Sequence, residues 1–195
     1  SAGAEPTMII GGQLKNIQSN VKLGMGDYLV AEADESDGSF LFLNPLVGIV
    51  TNIDNDHLDF HGSMENLEEA FGAYLRRLPF YGAAVLCADD PRLRMMAKKI
   101  QRRVITYGLS QAARPDWRAA IVTLDKQGCK YRAYYRAKRM AEVSLKVTGR
   151  HNVLNSLAAL AAGHYFGFDV RKLARGLSQF EGVGRRLDRL CAAGG

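Results

Sequence analysis

Two stretches decide the fold: Tyr-Leu-Val-Ala-Glu-Ala-Asp-Glu-Ser-Asp at residues 28–37 and Leu-Val-Gly-Ile-Val-Thr-Asn-Ile-Asp-Asn-Asp-His at residues 46–57. In each, a short apolar run of the kind that forms a buried strand ends in a cluster of acidic and polar residues. If both strands lie parallel in one sheet, their carboxyl ends share an edge, and Glu32 and His57 can converge there. Open α/β sheets bind their ligands at that edge, so the two stretches predict a ligand site.

Alternating strands and helices continue along the chain. Ser63 is a good helix cap, and the helix that it starts is predicted to end before Pro79. Asp89-Asp90-Pro91 opens a second helix, with proline at an early position. The remaining strand candidates of this region are Met8–Ile10, Ala83–Cys87 and Val104–Tyr107. This order predicts an α/β fold with a mostly parallel sheet flanked by helices.

The pattern changes after residue 110. Three candidate strands have no room for helices between them, and Lys126-Gln127-Gly128 forms a turn, which predicts a small antiparallel sheet attached to the main one. Two helices are predicted to follow, His151–Tyr165 and Val170–Leu177. The three strands are Ala119–Leu124, Tyr131–Tyr135 and Val143–Val147.

Composition limits the class of protein. The chain has 195 residues, 47% of them hydrophobic, which suits one globular domain with a sizeable core and room for part of a second. The net charge of +6 suits either nucleic acid or an anionic substrate such as a nucleotide. The basic runs do not combine with stacking aromatic residues on a recognisable nucleic-acid-binding module, and this favours the nucleotide.

The cellular compartment is expected to be the cytoplasm. The three cysteines are widely spaced and are interpreted as reduced thiols. The longest apolar stretch, Leu157–Ala162, is too short to span a bilayer, and no charged-then-apolar leader opens the chain. The chain has no initiating methionine and stops just after an arginine-rich turn, so we expect it to be an excerpt of a longer protein.

Glu32 and His57 are candidate metal ligands. A carboxylate beside a neutral imidazole offers oxygen and nitrogen ligands to a divalent cation, and Mg²⁺ is usually held by one or two such groups together with phosphates and water. The alternative is that both residues only end their strands. The same turns contain five further acids whose crowding favours a cation, although solvent could also offset it: Asp34, Glu35, Asp37, Asp54 and Asp56.

Two later motifs are candidates for nucleotide contacts. Asn152 and Asn155 share a face in the first turn of a predicted helix, where their carboxamides can pair with a nucleobase edge; the alternative is helix capping by Asn152. Arg185 and Arg186 follow a turn with two glycines, which suits a phosphate clamp, whereas exposure to solvent is the commoner use of such arginines. No Gly-x-x-x-x-Gly-Lys-[Ser/Thr] sequence occurs in the chain, so it contains no phosphate-binding loop of that kind.

Five segments, in this order, resemble the central domain of the Mur ligase family. The likeness extends from about residue 8 to residue 190, and the type that joins UDP-N-acetylmuramate to L-alanine (MurC) is the nearest. Murein peptide ligase and folylpolyglutamate synthetase share the fold and the His-Asn-x-x-Asn element, and they remain as alternatives. The five segments are Glu32–Phe40, Thr51–Asp59, Leu78–Gly82, Gly149–Asn155 and Phe180–Arg186.

The resemblance implies an ATP-dependent ligase of peptidoglycan synthesis. In that family ATP phosphorylates the lactyl carboxylate of UDP-N-acetylmuramate, and the amine of L-alanine attacks the acyl phosphate. Glu32 and His57 would then be the Mg²⁺ ligands, Asn152 and Asn155 would contact the nucleotide, and Arg186 would lie near the phosphates. His57 and Arg186 would be the catalytic residues.

The resemblance also implies a domain division. Residues 1–184 would be the central ATP-binding domain, incomplete at its amino end, and residues 185–195 would begin the linker to a further domain. The UDP-binding domain, the phosphate-binding loop and the last domain of the family would lie outside this chain, which by itself is expected to be inactive. Two alternatives from other classes are a metal phosphoesterase and a non-catalytic nucleotide-binding module.

Overall fold

The computed structural model describes residues 3–14, 19–55 and 58–182. These residues form nine strands in two sheets, five α-helices and one short 3₁₀ helix at Ser39–Phe42. The strands are β1 (Thr7–Leu14), β2 (Ser19–Lys22), β3 (Leu29–Ala31), β4 (Val47–Val50), β5 (Ala83–Cys87), β6 (Arg103–Gly108), β7 (Trp117–Asp125), β8 (Gly128–Tyr135) and β9 (Lys138–Leu145). The helices are α1 (Leu58–His61), α2 (Met64–Arg76), α3 (Pro91–Ala97), α4 (Arg150–Tyr165) and α5 (Val170–Leu177).

The larger sheet has six strands in the order β4-β5-β6-β7-β8-β9. Strands β4 to β7 are parallel, and β7 to β9 are antiparallel and continue the same sheet. All five residues of β5 are buried, as expected for a parallel strand covered on both faces, and α4 packs across β4 to β8. The predicted α/β fold, with a mostly parallel sheet and an antiparallel addition, is confirmed.

The prediction that the strands at Tyr28 and Leu46 lie in one sheet is wrong. Strand β3 belongs to a separate three-stranded sheet of order β2-β1-β3, whereas β4 forms the edge of the larger sheet. The backbone groups of β3 pair in parallel with β1, in the register Thr7 with Leu29. An apolar run indicates a strand, but it carries no information about which edge the strand joins, and β2 was missed altogether.

The helix starts follow from side-chain caps. The Ser63 hydroxyl accepts from the Asn66 amide at 3.2 Å and begins α2, as predicted. Asp90 caps α3, with proline at its first position, and α5 has its predicted bounds. Helix α4 begins at Arg150, one residue before the predicted start. Within the described parts of the chain, no helix has the length and apolar character needed to cross a membrane.

Candidate active site

The two acidic turns meet at one cavity although their strands belong to different sheets. The cavity has a volume of about 290 Å³. Ala33 and Glu35 line it from the turn after β3, and residues 51–54 line it from the turn after β4. Its apolar wall consists of Phe40, Ile49 and Val50 together with Leu67, Phe71 and Tyr74 of α2. The two turns therefore meet at one cavity without sharing a sheet, whereas the convergence of Glu32 and His57 stays a prediction.

Aromatic packing holds the first turn against the helices. Phe40 is 2% exposed, and its ring centroid lies 5.3 Å from that of Phe71 and 5.5 Å from that of Tyr74. Gly38 has a φ of 74°, a left-handed conformation that favours glycine, and it brings the chain into the 3₁₀ helix that places Phe40. The His61 ring nitrogen Nε2 lies 2.8 Å from the Glu35 carbonyl oxygen. This turn is thus fixed to α1 and α2 and not only to its own strand.

The acids of the first turn have local hydrogen-bond partners. Asp34 accepts from the Ser36 amide at 2.9 Å, and Asp37 accepts from the Ser39 amide at 2.8 Å. Hydrogen bonds from the side chain and backbone of Ser39 lower the pKa of Asp37. Acid crowding here is therefore explained in part by turn formation, since Asp side chains commonly bond the backbone two residues on.

Asp90 ties the second turn to the neighbouring strand. Its Oδ2 accepts from the Ile53 amide at 3.2 Å, and its Oδ1 accepts from the Leu93 amide at 2.9 Å. Ile53 is 2% exposed, so the turn is held by one hydrogen bond and one buried side chain. Sequence reasoning assigned Asp90 only to opening a helix. The sequence signal for its second role, holding the turn at Ile53, was that two aspartates follow each other where one is enough to cap a helix.

Asp89 holds the turn that follows β6 in the same way. Its carboxylate accepts from the Leu109 amide at 2.8 Å and from the Ser110 amide at 3.0 Å. A Cβ atom added at Gly108 would lie 2.7 Å from Asp89 Oδ1, so the bare backbone of glycine leaves room for the carboxylate. Asp89 and Asp90 together fix the turns that follow β4 and β6 at the carboxyl edge.

Glu32 bridges two strands of the small sheet. Its amide donates to the Ile9 carbonyl at 2.8 Å, and its Oε2 accepts from the Gly11 amide at 2.7 Å. The residue is exposed, and it does not line the cavity between the acidic turns. His57, the other predicted metal ligand, lies outside the described residues.

Glu32 is the predicted metal ligand that lies within the described residues. In the described ranges, His, Cys, Asp and Glu side chains form no group of three or more that could hold a metal. Glu32 supplies an exposed carboxylate at a strand end. Mg²⁺ takes one or two protein carboxylates and completes its shell with phosphates and water, so the Glu32 carboxylate is a ligand of the right type.

The predicted asparagine pair lies at the start of α4. The helix cap is Gly149, with a φ of 104°, so the alternative that Asn152 is the cap is wrong. Asn152 instead donates its Nδ2 to the Thr148 carbonyl at 2.7 Å, and Asn155 is exposed one turn further on. Neither asparagine lines the cavity, and Arg186 lies outside the described residues.

Residues 13–163 match the Mur ligase middle domain, which is more than half of the chain. The chain belongs to the Mur ligase family. The predicted resemblance to the Mur ligases is thereby confirmed. The predicted likeness to the MurC type is confirmed as well, because many curated relatives that match the chain are named UDP-N-acetylmuramate–L-alanine ligase.

Three relatives of this Mur ligase domain illustrate the likeness. The UDP-N-acetylmuramate–L-alanine ligase of Endomicrobium trichonymphae is 47% identical over 188 residues, which are 96% of this chain and 41% of that protein. The crystal structure of the UDP-N-acetylmuramate–alanine ligase MurC of Thermotoga maritima is 29% identical, with a TM-score of 0.79, and the match covers 94% of this chain and 40% of that one. The murein peptide ligase of Neisseria meningitides is 23% identical, with a TM-score of 0.81 over 94% of this chain and 60% of that one, and it supports the fold alone.

The chain spans about two fifths of the length of the curated Mur ligases that it matches. The match includes both acidic turns, the Asp89-Asp90 pair and the asparagines of α4. The family is therefore established for the region that contains the described part of the candidate site.

Proposed function

We propose that this chain is the middle domain of an ATP-dependent ligase that joins L-alanine to UDP-N-acetylmuramate in peptidoglycan synthesis. The observation that carries the proposal is the 47% identity with an enzyme of that name over nearly the whole chain. The geometry supports it, because both acidic turns reach one cavity at the carboxyl edge, where α/β sheets bind ligands.

The reaction assigns a role to each candidate residue. ATP would phosphorylate the lactyl carboxylate, the amine of L-alanine would attack the acyl phosphate, and ADP and phosphate would leave. Glu32 and His57 would hold Mg²⁺, which when bound neutralises phosphate charge. Asn152 and Asn155 would contact the nucleotide, and Arg186 would offset the charge that develops during phosphoryl transfer.

The contribution of the described residues is mainly positioning. Asp90 holds the turn at Ile53, and Phe40 holds the turn at Glu35, so both turns present their polar groups to the same cavity. Phosphoryl and acyl transfer depend largely on such placement of reactants.

The domain division and the compartment belong to the same proposal. Residues 1–184 would be the central domain and residues 185–195 the start of a linker, with the UDP-binding and closing domains supplied by the parent protein in the cytoplasm. The 195-residue chain by itself would neither ligate nor bind ATP tightly, because the phosphate-binding loop is absent from its sequence.

The test begins with the coding DNA on both sides of this segment. A phosphate-binding loop encoded upstream and a further domain downstream would justify assaying the whole reading frame. That protein should release phosphate from ATP only when both UDP-N-acetylmuramate and L-alanine are present, and mass spectrometry should detect the ligated product. The 195-residue chain serves as the negative control, and turnover by it would contradict the proposal.

The same assay separates the alternatives. A murein peptide ligase would accept a peptide in place of L-alanine, and a folylpolyglutamate synthetase would require a folate and glutamate. A metal phosphoesterase would release phosphate from a phosphoester without ATP or amino acid. A non-catalytic module would bind nucleotide without turnover, and Glu32→Ala would then affect stability alone.

A further inference from the structure

An arginine-lined groove lies between strand β9 and helix α5, apart from the candidate active site. Its volume is about 610 Å³, and none of its lining residues borders the cavity between the acidic turns. Residues 139–142 of β9 form one wall, and α5 forms the other.

The strand wall is a free sheet edge. Strand β9 is the last strand of the six-stranded sheet, and in the described part of the chain it pairs only with β8. Residues 139–142 line the groove, and β9 has a β-bulge among them, because Tyr134 pairs with Arg139 while Ala133 pairs with Ala141. Beyond this bulge, from Ala141 to Leu145, every second residue of β9 directs its N–H and C=O away from β8, so this part of the edge can accept a further strand.

The helix wall presents two arginines on one stripe. Arg171, Ala174, Arg175 and Ser178 line the groove at the spacing i, i+3, i+4 and i+7, which puts them on one side of α5. Ala174 is 6% exposed and is small, whereas Arg171 and Arg175 are exposed. Like charges four residues apart on a helix repel each other, so this pair favours an anion between or near them.

Glu142, the acidic residue that lines the groove, already forms ion pairs with other basic residues. Glu142 lies 3.0 Å from Lys130 Nζ, 2.9 Å from Arg139 Nη2 and 3.6 Å from Arg132 Nε. Its hydrogen bond with Lys130, with the charges of Lys130, Arg139 and Arg132, lowers its pKa and keeps it ionised. The ion pairs of the described residues include neither Arg171 nor Arg175, although the charge of Arg171 contributes to lowering the pKa of Asp169, the cap of α5.

We propose that this groove binds an extended acidic peptide segment of a partner protein, which adds to β9 as a strand and places its carboxylates on Arg171 and Arg175. Strand addition to a free edge is a recurring mode of peptide recognition, in which backbone hydrogen bonds supply affinity and side chains supply specificity. Arginine suits carboxylates because its planar fork can bind them through two hydrogen bonds. A groove is a poor match for a flat membrane, and its described lining includes no aromatic side chain for base stacking.

The test uses a fluorescein-labelled eight-residue peptide of alternating glutamate and valine, with fluorescence anisotropy on the purified chain. A peptide with lysine in place of glutamate is the charge control. The double variant R171E/R175E should lose affinity for the acidic peptide about tenfold or more. The matched variant K98E/K99E makes the same change in net charge at exposed residues after α3, and it should bind within about twofold of the wild type.

Backbone pairing is tested with the same peptide methylated at alternate amide nitrogens. One of the two possible methylation frames should abolish binding, because it removes the hydrogen bonds donated to β9. Circular dichroism checks that each variant folds, and R171Q/R175Q provides a milder replacement that should still weaken binding. Unchanged affinity in both arginine variants would overturn the proposal, as would equal binding of both methylated peptides. Tighter arginine-dependent binding of oligothymidylate or of phosphatidylglycerol vesicles would also overturn it, by assigning the groove to another class of partner.

Discussion

Strand β5, which lies inside the large sheet, and strand β3, at the edge of the small sheet, have similar apolar sequences and opposite environments. All five residues of β5 are buried, whereas all three residues of β3 are exposed, with Leu29 at 62% and Val30 at 53%. Strand β5 lies between two parallel neighbours and under α4, while β3 pairs on one side with β1. The comparison shows that an apolar run specifies a strand, whereas its stability depends on what covers its faces.

Among the described residues, Tyr28 connects the small sheet to the end of α4. The Tyr28 ring centroid lies 5.1 Å from that of Phe166 and 5.6 Å from that of Phe168, at the end of α4. The loop before β3 also lies close to the backbone before β1, because a Cβ atom at Gly24 would lie 2.0 Å from the Glu5 carbonyl oxygen. We therefore expect perturbations of the two sheets to differ strongly in their cost.

The largest effect is expected from removing a core leucine. Leu86→Ala in β5, at 1% exposure, should lower the free energy of unfolding by about 2–5 kcal/mol, through lost burial and a residual cavity. Leu29→Ala in β3 should change it by less than about 0.5 kcal/mol. Urea denaturation followed by the fluorescence of the single tryptophan, Trp117, measures both. Equal costs would mean that the small sheet is as well packed as the large one.

The next effect concerns the aspartate that joins two turns. Asp90→Ala should cost about 2 kcal/mol, because it removes a helix cap and the hydrogen bond to the Ile53 amide. Asp169→Ala is the matched control, since Asp169 caps α5 through the Arg171 and Lys172 amides and should cost about 1 kcal/mol.

Hydrogen exchange separates the two roles of Asp90, holding the turn at Ile53 and capping α3. The Ile53 amide should exchange faster in Asp90→Ala and at the wild-type rate in Asp169→Ala. Unchanged exchange at Ile53 in both variants would show that Asp90 does not hold the turn.

A smaller effect tests the attachment of the small sheet. Tyr28→Leu keeps an apolar side chain but removes two edge-to-face ring contacts, so it should cost about 1 kcal/mol. Exchange of the Thr7 amide, which donates to the Tyr28 carbonyl at 2.9 Å, should accelerate while the β5 amides stay protected. Loss of protection in β5 as well would mean that the two sheets unfold as one unit.

The smallest effect is a pH dependence within the large sheet's packing. Burial and the nearby charge of Arg103 lower the pKa of His164, whose ring packs against Trp117 and Tyr135. The unfolded chain thus binds a proton at His164 more readily than the folded chain does. The contribution of neutral His164 to the free energy of unfolding is therefore complete above about pH 6.5, and it falls as the pH drops from there toward the pKa of the folded state. His164→Gln should flatten this part of the curve in urea denaturation between pH 7.5 and pH 5.5. An unchanged slope would assign the pH dependence to other groups.

Local signals predicted the elements, whereas pairing across the chain could not be predicted. Ser63 and Asp90 predicted the starts of α2 and α3, because a capping side chain acts within its own turn. The partner of β3, and the hydrogen bond from Ile53 to Asp90, depend on residues far along the chain that no periodic pattern identifies. The acidic turns were expected to meet through a shared sheet, but they line one cavity from two different sheets, and Phe40 of the first turn packs on α2.

The most direct measurement is a double-mutant cycle on the whole reading frame, with Glu32→Gln in the turn of the small sheet and His57→Gln in the turn of the large one. Each single variant should lower kcat/KM for substrate-dependent phosphate release by about 10²-fold or more. If both side chains serve one cation, the double variant should be within about threefold of the worse single variant, since residues that act as a unit are not additive. Losses that multiply to about 10⁴-fold would show that the two residues act independently, and the proposed site shared by the two turns would be wrong.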